Sequence, residues 1–160
     1  MESISIKIFH GKEGFYKIKE DWDYIVKALT HKSFGYAYEV FKAHFDTLDE
    51  RDVQSVFFIV LYRDDRPIAI CPMKRMVKRF LGLKYIILQI SLPKDEDFGD
   101  FIFEKQNENE DLMNILVEKL GKVIGDNWKC IMFFVAEDSS IYFSLKNSKN
   151  LFLSILFLTQ

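Results

Sequence analysis

Asp97 and Asp100 flank Phe98 and Gly99. Two carboxylates held around a glycine turn can bind an amine or a sugar hydroxyl, which makes both candidate substrate-binding residues. The same pattern is also ordinary turn chemistry, with Asp side chains accepting from nearby backbone N–H groups, and this plainer account is favoured. Phe34 and Tyr36, with Tyr38 beyond them, bring aromatic rings to the start of a helix. They can line a substrate groove or staple the helix to the core, the second being the more ordinary use. Lys74, Arg75, Lys78, Arg79 and Lys84 form a basic run around Pro72 and Gly82. Such a run would steer an anion, for example a phosphate or a nucleotide-linked sugar. It also reads as a solvated hairpin whose cations discourage strand pairing.

The other reactive residue types form no constellation. His10, His31 and His44 are isolated from one another, and no pair has metal-ligand spacing. His44 falls on an apolar helical stripe, where a packed, hydrogen-bonded ring is expected. His31 stands where it would cap a helix C-terminus. Cys71 and Cys130 lie in apolar stretches with no histidine nearby, as expected of buried free thiols in a reducing compartment. No catalytic residue, cofactor ligand or metal ligand is therefore assigned. The 22 Lys and Arg against 24 Asp and Glu give a net charge of −2, which offers no electrostatic reason for a nucleic-acid partner. Nothing approaches the roughly 20 apolar residues of a membrane span, and the first ten residues do not read as a secretory leader. The cytoplasm is the expected location.

These residues must be positioned by a frame that the apolar pattern outlines. Ile4 to Phe9 alternates as a half-buried strand, with Gly11 and Gly14 bracketing a turn. Trp22, Ile25, Val26 and Leu29 share one helical face. Ala37, Phe41, His44, Phe45 and Leu48 share another, and Asp46 to Asp52 reads as a charged loop. Three strands follow: Ser55–Tyr62, Ile68–Cys71 after the turn Arg63–Pro67, and Tyr85–Leu92 after the turn Phe80–Gly82. Pro72 predicts a bulge or strand edge. Pro93 to Asp111 reads as a long polar loop, and Leu112 to Ile124 as a helix ended by Gly125. Cys130–Val135 is then a buried strand, and Ile141–Leu145 a candidate for one more. A helix between the third strand and Cys130–Val135 would let those two run parallel. The expected architecture is α/β in a single domain, 1–160: a mixed sheet, an antiparallel meander plus a parallel strand, flanked by helices.

That order resembles the GNAT acyltransferase domain, and several segments resemble the bacterial CelD/BcsL-like branch. They are Phe15–Trp22, Ser33–Glu39, Ile68–Met73, Phe80–Gly82 and Asp97–Phe101, spread over Phe15 to Phe143. Those relatives look like two GNAT-like halves in tandem, similar in plan to the aminoacyl transferases that build peptidoglycan bridges. Their acyl-CoA chemistry is associated with the second half, whereas this chain matches the first. The resemblance implies that Phe34, Tyr36, Asp97 and Asp100 contact the acceptor substrate.

A phosphate cradle at a helix N-terminus needs open backbone N–H groups and no competing anion. Glu104 to Asp111 has no glycine and carries Glu108, Glu110 and Asp111 there. The chain is thus expected to lack an acyl-CoA site at that place. The apolar run Leu151–Leu158 is either a buried strand, a homodimer contact, or the approach to a missing second half. Three functions follow as expectations: an N-terminal half that binds the acceptor or packs against a catalytic partner half, a complete small acetyl-CoA-dependent N-acetyltransferase, or a non-enzymatic dimerising remnant.

Overall fold

In a computed structural model of the chain, residues 4–29, 36–80, 82–91, 102–103, 115–116 and 128–132 are described. The sheet grows from one hairpin. Strands β2 (Val56–Arg63) and β3 (Arg66–Phe80) pair antiparallel across Asp64 and Asp65. Both turn residues have positive φ, 48° and 65°. A two-residue turn with two left-handed positions matches the twist of the flanking strands, and Asp is among the few residue types that tolerate it. Strand β4 (Leu83–Ile90) returns along β3 through a turn in which Gly82 has φ 80°. Strand β1 (Ile4–His10) lies antiparallel on the far side of β2.

Between β1 and β2 the described residues form helices α1 (Gly11–Lys17), α2 (Lys19–Ala28), α3 (Tyr38–Asp46) and α4 (Glu50–Ser55). Helix α1 occupies the segment expected as a glycine turn. Gly14 is needed there for close approach, because a Cβ at this position would stand 2.6 Å from the carbonyl carbon of Phe9. Helix α4 likewise replaces the end of the expected charged loop. Its N-cap Asp49 accepts from the Asp52 N–H at 2.8 Å, which offsets the cost of starting so short a helix.

One face of the sheet packs on α1 to α3 through a nearly all-aromatic cluster. Phe15 stacks on Tyr38 with centroids 4.5 Å apart, and Trp22 presents an edge to Phe15 at 5.9 Å. Phe41, Phe45 and Phe58 close around Phe15. Val56, Phe58 and Val60 of β2 carry this face. Their neighbours Phe57, Ile59 and Leu61 point the other way and are equally buried. Strand β2 is therefore central, with apolar packing on both faces, as its unbroken Val, Ile and Phe run requires.

Two expectations about the sheet need correcting. The mixed meander-plus-parallel-strand plan understates its antiparallel part. All four core strands, in the order β1-β2-β3-β4, are antiparallel, and the short β5 (Ile102–Phe103) is antiparallel to β3. The tight hairpin turns leave β2, β3 and β4 no other choice. Parallel pairing does not enter this core. It is confined to the margin, where β6 (Trp128–Met132) runs beside β4. Secondly, β3 does not break at Pro72. The Ser91 N–H donates to the Pro72 carbonyl at 2.9 Å, so both polar positions of Pro72 face the β4 side of the strand. The described β4 pairing begins only at Met73, opposite Ile90. The missing N–H thus falls just past the end of that ladder, which does not use it. The register shift expected near Pro72 occurs instead between Leu61 and Tyr62.

The expected strand Ile141–Leu145 and tail Leu151–Gln160 lie outside the described residues, as does the helix Leu112–Ile124 except for residues 115–116, which are helical.

Candidate functional site

The polar features inside the helical half are ties between elements. The Trp22 indole N–H donates to the Tyr36 carbonyl at 2.8 Å, fixing the approach to α3. The Tyr62 hydroxyl donates to the Asp21 carboxylate, joining α2 to the sheet. Burial, then the bond to Asp21 and its negative charge, push this phenol well above the usual tyrosine range, so it stays protonated at neutral pH. Tyr38 is raised to about 12, mainly by burial. Its hydroxyl is buried with no hydrogen-bond partner among the described residues, while Lys19 Nζ sits 4.7 Å from its ring centroid.

The seam between β4 and β6 is different. In an open α/β sheet, ligands bind beyond the carboxyl ends of parallel strands, and this is where the described residues place their parallel pair. The pairing is irregular. From Ile86 to Ile87 on β4 the partner moves from Trp128 to Cys130 on β6, so Lys129 is accommodated as an extra residue. A bulge leaves backbone N–H and C=O groups without ladder partners, and such irregularities cluster beside active sites. The described pairing ends at Gln89 with Met132. Gln89 is the one polar side chain in the run Ile86–Ile90 and is half-buried. On β3 it lies opposite Lys74, whose ammonium is held 2.6 Å from the Asp52 carboxylate at the start of α4. Ser91, buried, follows the last residue of β4.

Near the seam stand one half-buried carboxamide, Gln89, and one buried serine, Ser91, and a bulge of this kind can leave backbone amides open to a ligand. Among the described residues no group of three or more His, Cys, Asp and Glu is placed to hold a metal ion, and no helix is long and apolar enough to cross a membrane.

Of the residues singled out in the sequence, Tyr36 is half-buried against the aromatic cluster. Phe34, Asp97 and Asp100 lie outside the described residues. His31 and the acidic segment Glu104–Asp111 lie outside them too. His44 is half-buried with its ring edge against Phe41 at 6.0 Å. His10 is exposed, 5.9 Å from the Phe57 ring. Cys71 is fully buried. Sequence reasoning missed Gln89 and Ser91. The signal for Gln89 was one amide in an otherwise apolar strand, and the bulge itself left none.

No protein-family model and no curated protein sequence matches the chain. Solved structures do. A GNAT family acetyltransferase from Staphylococcus aureus is 16% identical with a TM-score of 0.51, over 99% of this chain and 98% of that one. An aminoglycoside acetyltransferase from an uncultured soil metagenomic sample is 12% identical with a TM-score of 0.54, over 99% and 97%. An integron cassette protein from the mobile metagenome of V. cholerae is 11% identical with a TM-score of 0.53, over 99% and 93%. At these identities the likeness establishes the fold, which is that of the GNAT acetyltransferases.

Proposed function

We propose that this chain is a small acyltransferase that by itself moves an acetyl group from acetyl-CoA to an amine. The observation that carries the reading is the two-way coverage: the chain aligns with nearly the whole of small single-domain chains of this fold. The irregular β4–β6 seam supports it. In such a transfer the amine nitrogen attacks the thioester carbonyl, a C–N bond forms, the C–S bond breaks, and the amine proton ends on the departing thiol. The chain must hold the two reactants together and stabilise the oxyanion that forms. Backbone N–H groups freed by the register shift would serve the second task. Gln89, half-buried, stands two positions beyond the shift on β4.

A narrower second reading rests on the motif series Phe15–Trp22, Ile68–Met73 and Phe80–Gly82. In it the chain is the acceptor-binding half of a CelD/BcsL-like tandem enzyme and works only beside a catalytic half. Titration calorimetry of acetyl-CoA into the purified chain separates the two. Saturable binding, followed by amine-dependent release of free thiol, is the expected result. A folded chain that takes up no acetyl-CoA would overturn the self-sufficient reading and leave the tandem one.

A further inference from the structure

We infer that the outer half of β3 is a docking edge for an acidic, extended segment of a protein partner. Strand β3 pairs with β2 only as far as Lys74, opposite Val56, because α4 takes up the chain just before β2. It then runs six residues further, to Phe80, paired on its other side with β4. Along Arg75 to Phe80 the β2 side of β3 has no strand partner among the described residues. An open ladder edge presents unpaired N–H and C=O groups in strand geometry, which an added strand satisfies.

The side chains define what would be added. Arg75, Val77 and Arg79 lie two residues apart and share one face of β3, opposite Leu88, Ile86 and Lys84. All three are exposed, and Val77, at 46%, is among the few large apolar side chains so exposed in the described structure. Lys78 is exposed on the other face. Elsewhere several cations are answered: Lys12, Lys17, Lys19, Lys42 and Lys74 each pair with a carboxylate. Arg75, Lys78 and Arg79 have no such partner among the described residues, and no acidic residue occurs from Lys74 to Lys84. Arg75 and Arg79 stand about 13 Å apart along the strand. A paired peptide with carboxylates four residues apart and an apolar residue midway matches this face. Main-chain bonds would supply affinity, the two guanidinium groups the preference for acids. The chain's net charge of −2 makes the local basic edge a feature of this hairpin and not of the surface at large.

The test uses the full chain and two fluorescein-labelled decapeptides, one with glutamates alternating with valine and threonine, the other with glutamine in place of every glutamate. Fluorescence anisotropy should show saturable binding of the acidic peptide and loss of most of it for the glutamine peptide. Arg75→Glu/Arg79→Glu should weaken the acidic peptide by about tenfold or more. An acidic peptide N-methylated at every residue should not bind, since it has no N–H left to pair with the edge. The far-ultraviolet circular dichroism of the double variant must match that of the parent. The inference is overturned if the parent does not bind the acidic peptide, if the folded double variant binds it equally, if N-methylation has no effect, or if single-stranded RNA binds more tightly than the peptide. None of these readouts involves acetyl-CoA, so failure here leaves the acyltransferase reading untouched, and the reverse.

Discussion

The helical half and the β3–β4 extension differ in how completely they satisfy themselves. Around Phe15 and Trp22, aromatic rings interlock, the indole N–H has its acceptor, and the surface lysines nearby are paired with acids. On the extension the ladder loses β2 after Lys74, the pairing with β6 is irregular, and three cations have no carboxylate partner among the described residues. A region closed on itself stabilises the fold. A region with unpaired backbone and unanswered charge has capacity left for a ligand.

Substitutions on the two sides should therefore behave in opposite ways. Trp22→Ala should have the largest effect. It removes a fully buried ring and leaves the Tyr36 carbonyl without its donor, so urea unfolding should show a loss of about 3–5 kcal/mol. A loss under 1 kcal/mol would mean that the aromatic cluster is not the core. Gly14→Ala should come next. The new methyl would press on the backbone of Phe9, which cannot move away as a side-chain tip could. About 1–3 kcal/mol should be lost, and an unchanged midpoint would mean that α1 and β1 are not in close contact.

Tyr38→Phe should go the other way. It deletes a buried hydroxyl that has no partner among the described residues and keeps the ring on Phe15, so stability should rise by about 1 kcal/mol. The pH profile checks the same group. Its pKa is raised to about 12 in the fold, against about 10 unfolded. The folded state thus holds its proton where the unfolded state has lost it. Stability should be level below pH 10 on this account and fall as pH climbs from 10 toward 12. The Phe variant should lose less over that window, and parallel profiles would show that Tyr38 is not buried. Arg75→Glu/Arg79→Glu should change stability least, by about 0.5 kcal/mol or less, as for exposed sites. A larger loss would mean that the extension is part of the closed region.

Local chemistry was legible in advance wherever one short segment decided the outcome. The run Ser55–Tyr62 forms a strand because β-branched and aromatic residues crowd it, and Arg63–Pro67 turns because Asp64 and Asp65 accept left-handed backbone. Trp22 and Ile25 on one side, Phe41 and Phe45 on another, mark the buried faces of two helices by their spacing. Where two distant segments decide together, the sequence was silent or misleading. Gly14 looks like a turn residue until Phe9 is placed against it. Pro72 suggests a bulge or strand edge until it is seen to stand just past the end of the β4 pairing. Of the candidate site, Gln89 could be noticed, but the extra residue at the seam, Lys129, belongs to β6, some forty positions away.

Composition and periodicity by themselves thus determined the α/β class, the central strands and the basic character of the 74–84 hairpin, because each follows from the side chains of neighbouring residues. The antiparallel extent of the sheet, the open edge beyond Lys74 and the bulged seam with β6 were decided only by the tertiary structure. They depend on where partner strands end, and no residue encodes the end of a strand it does not belong to.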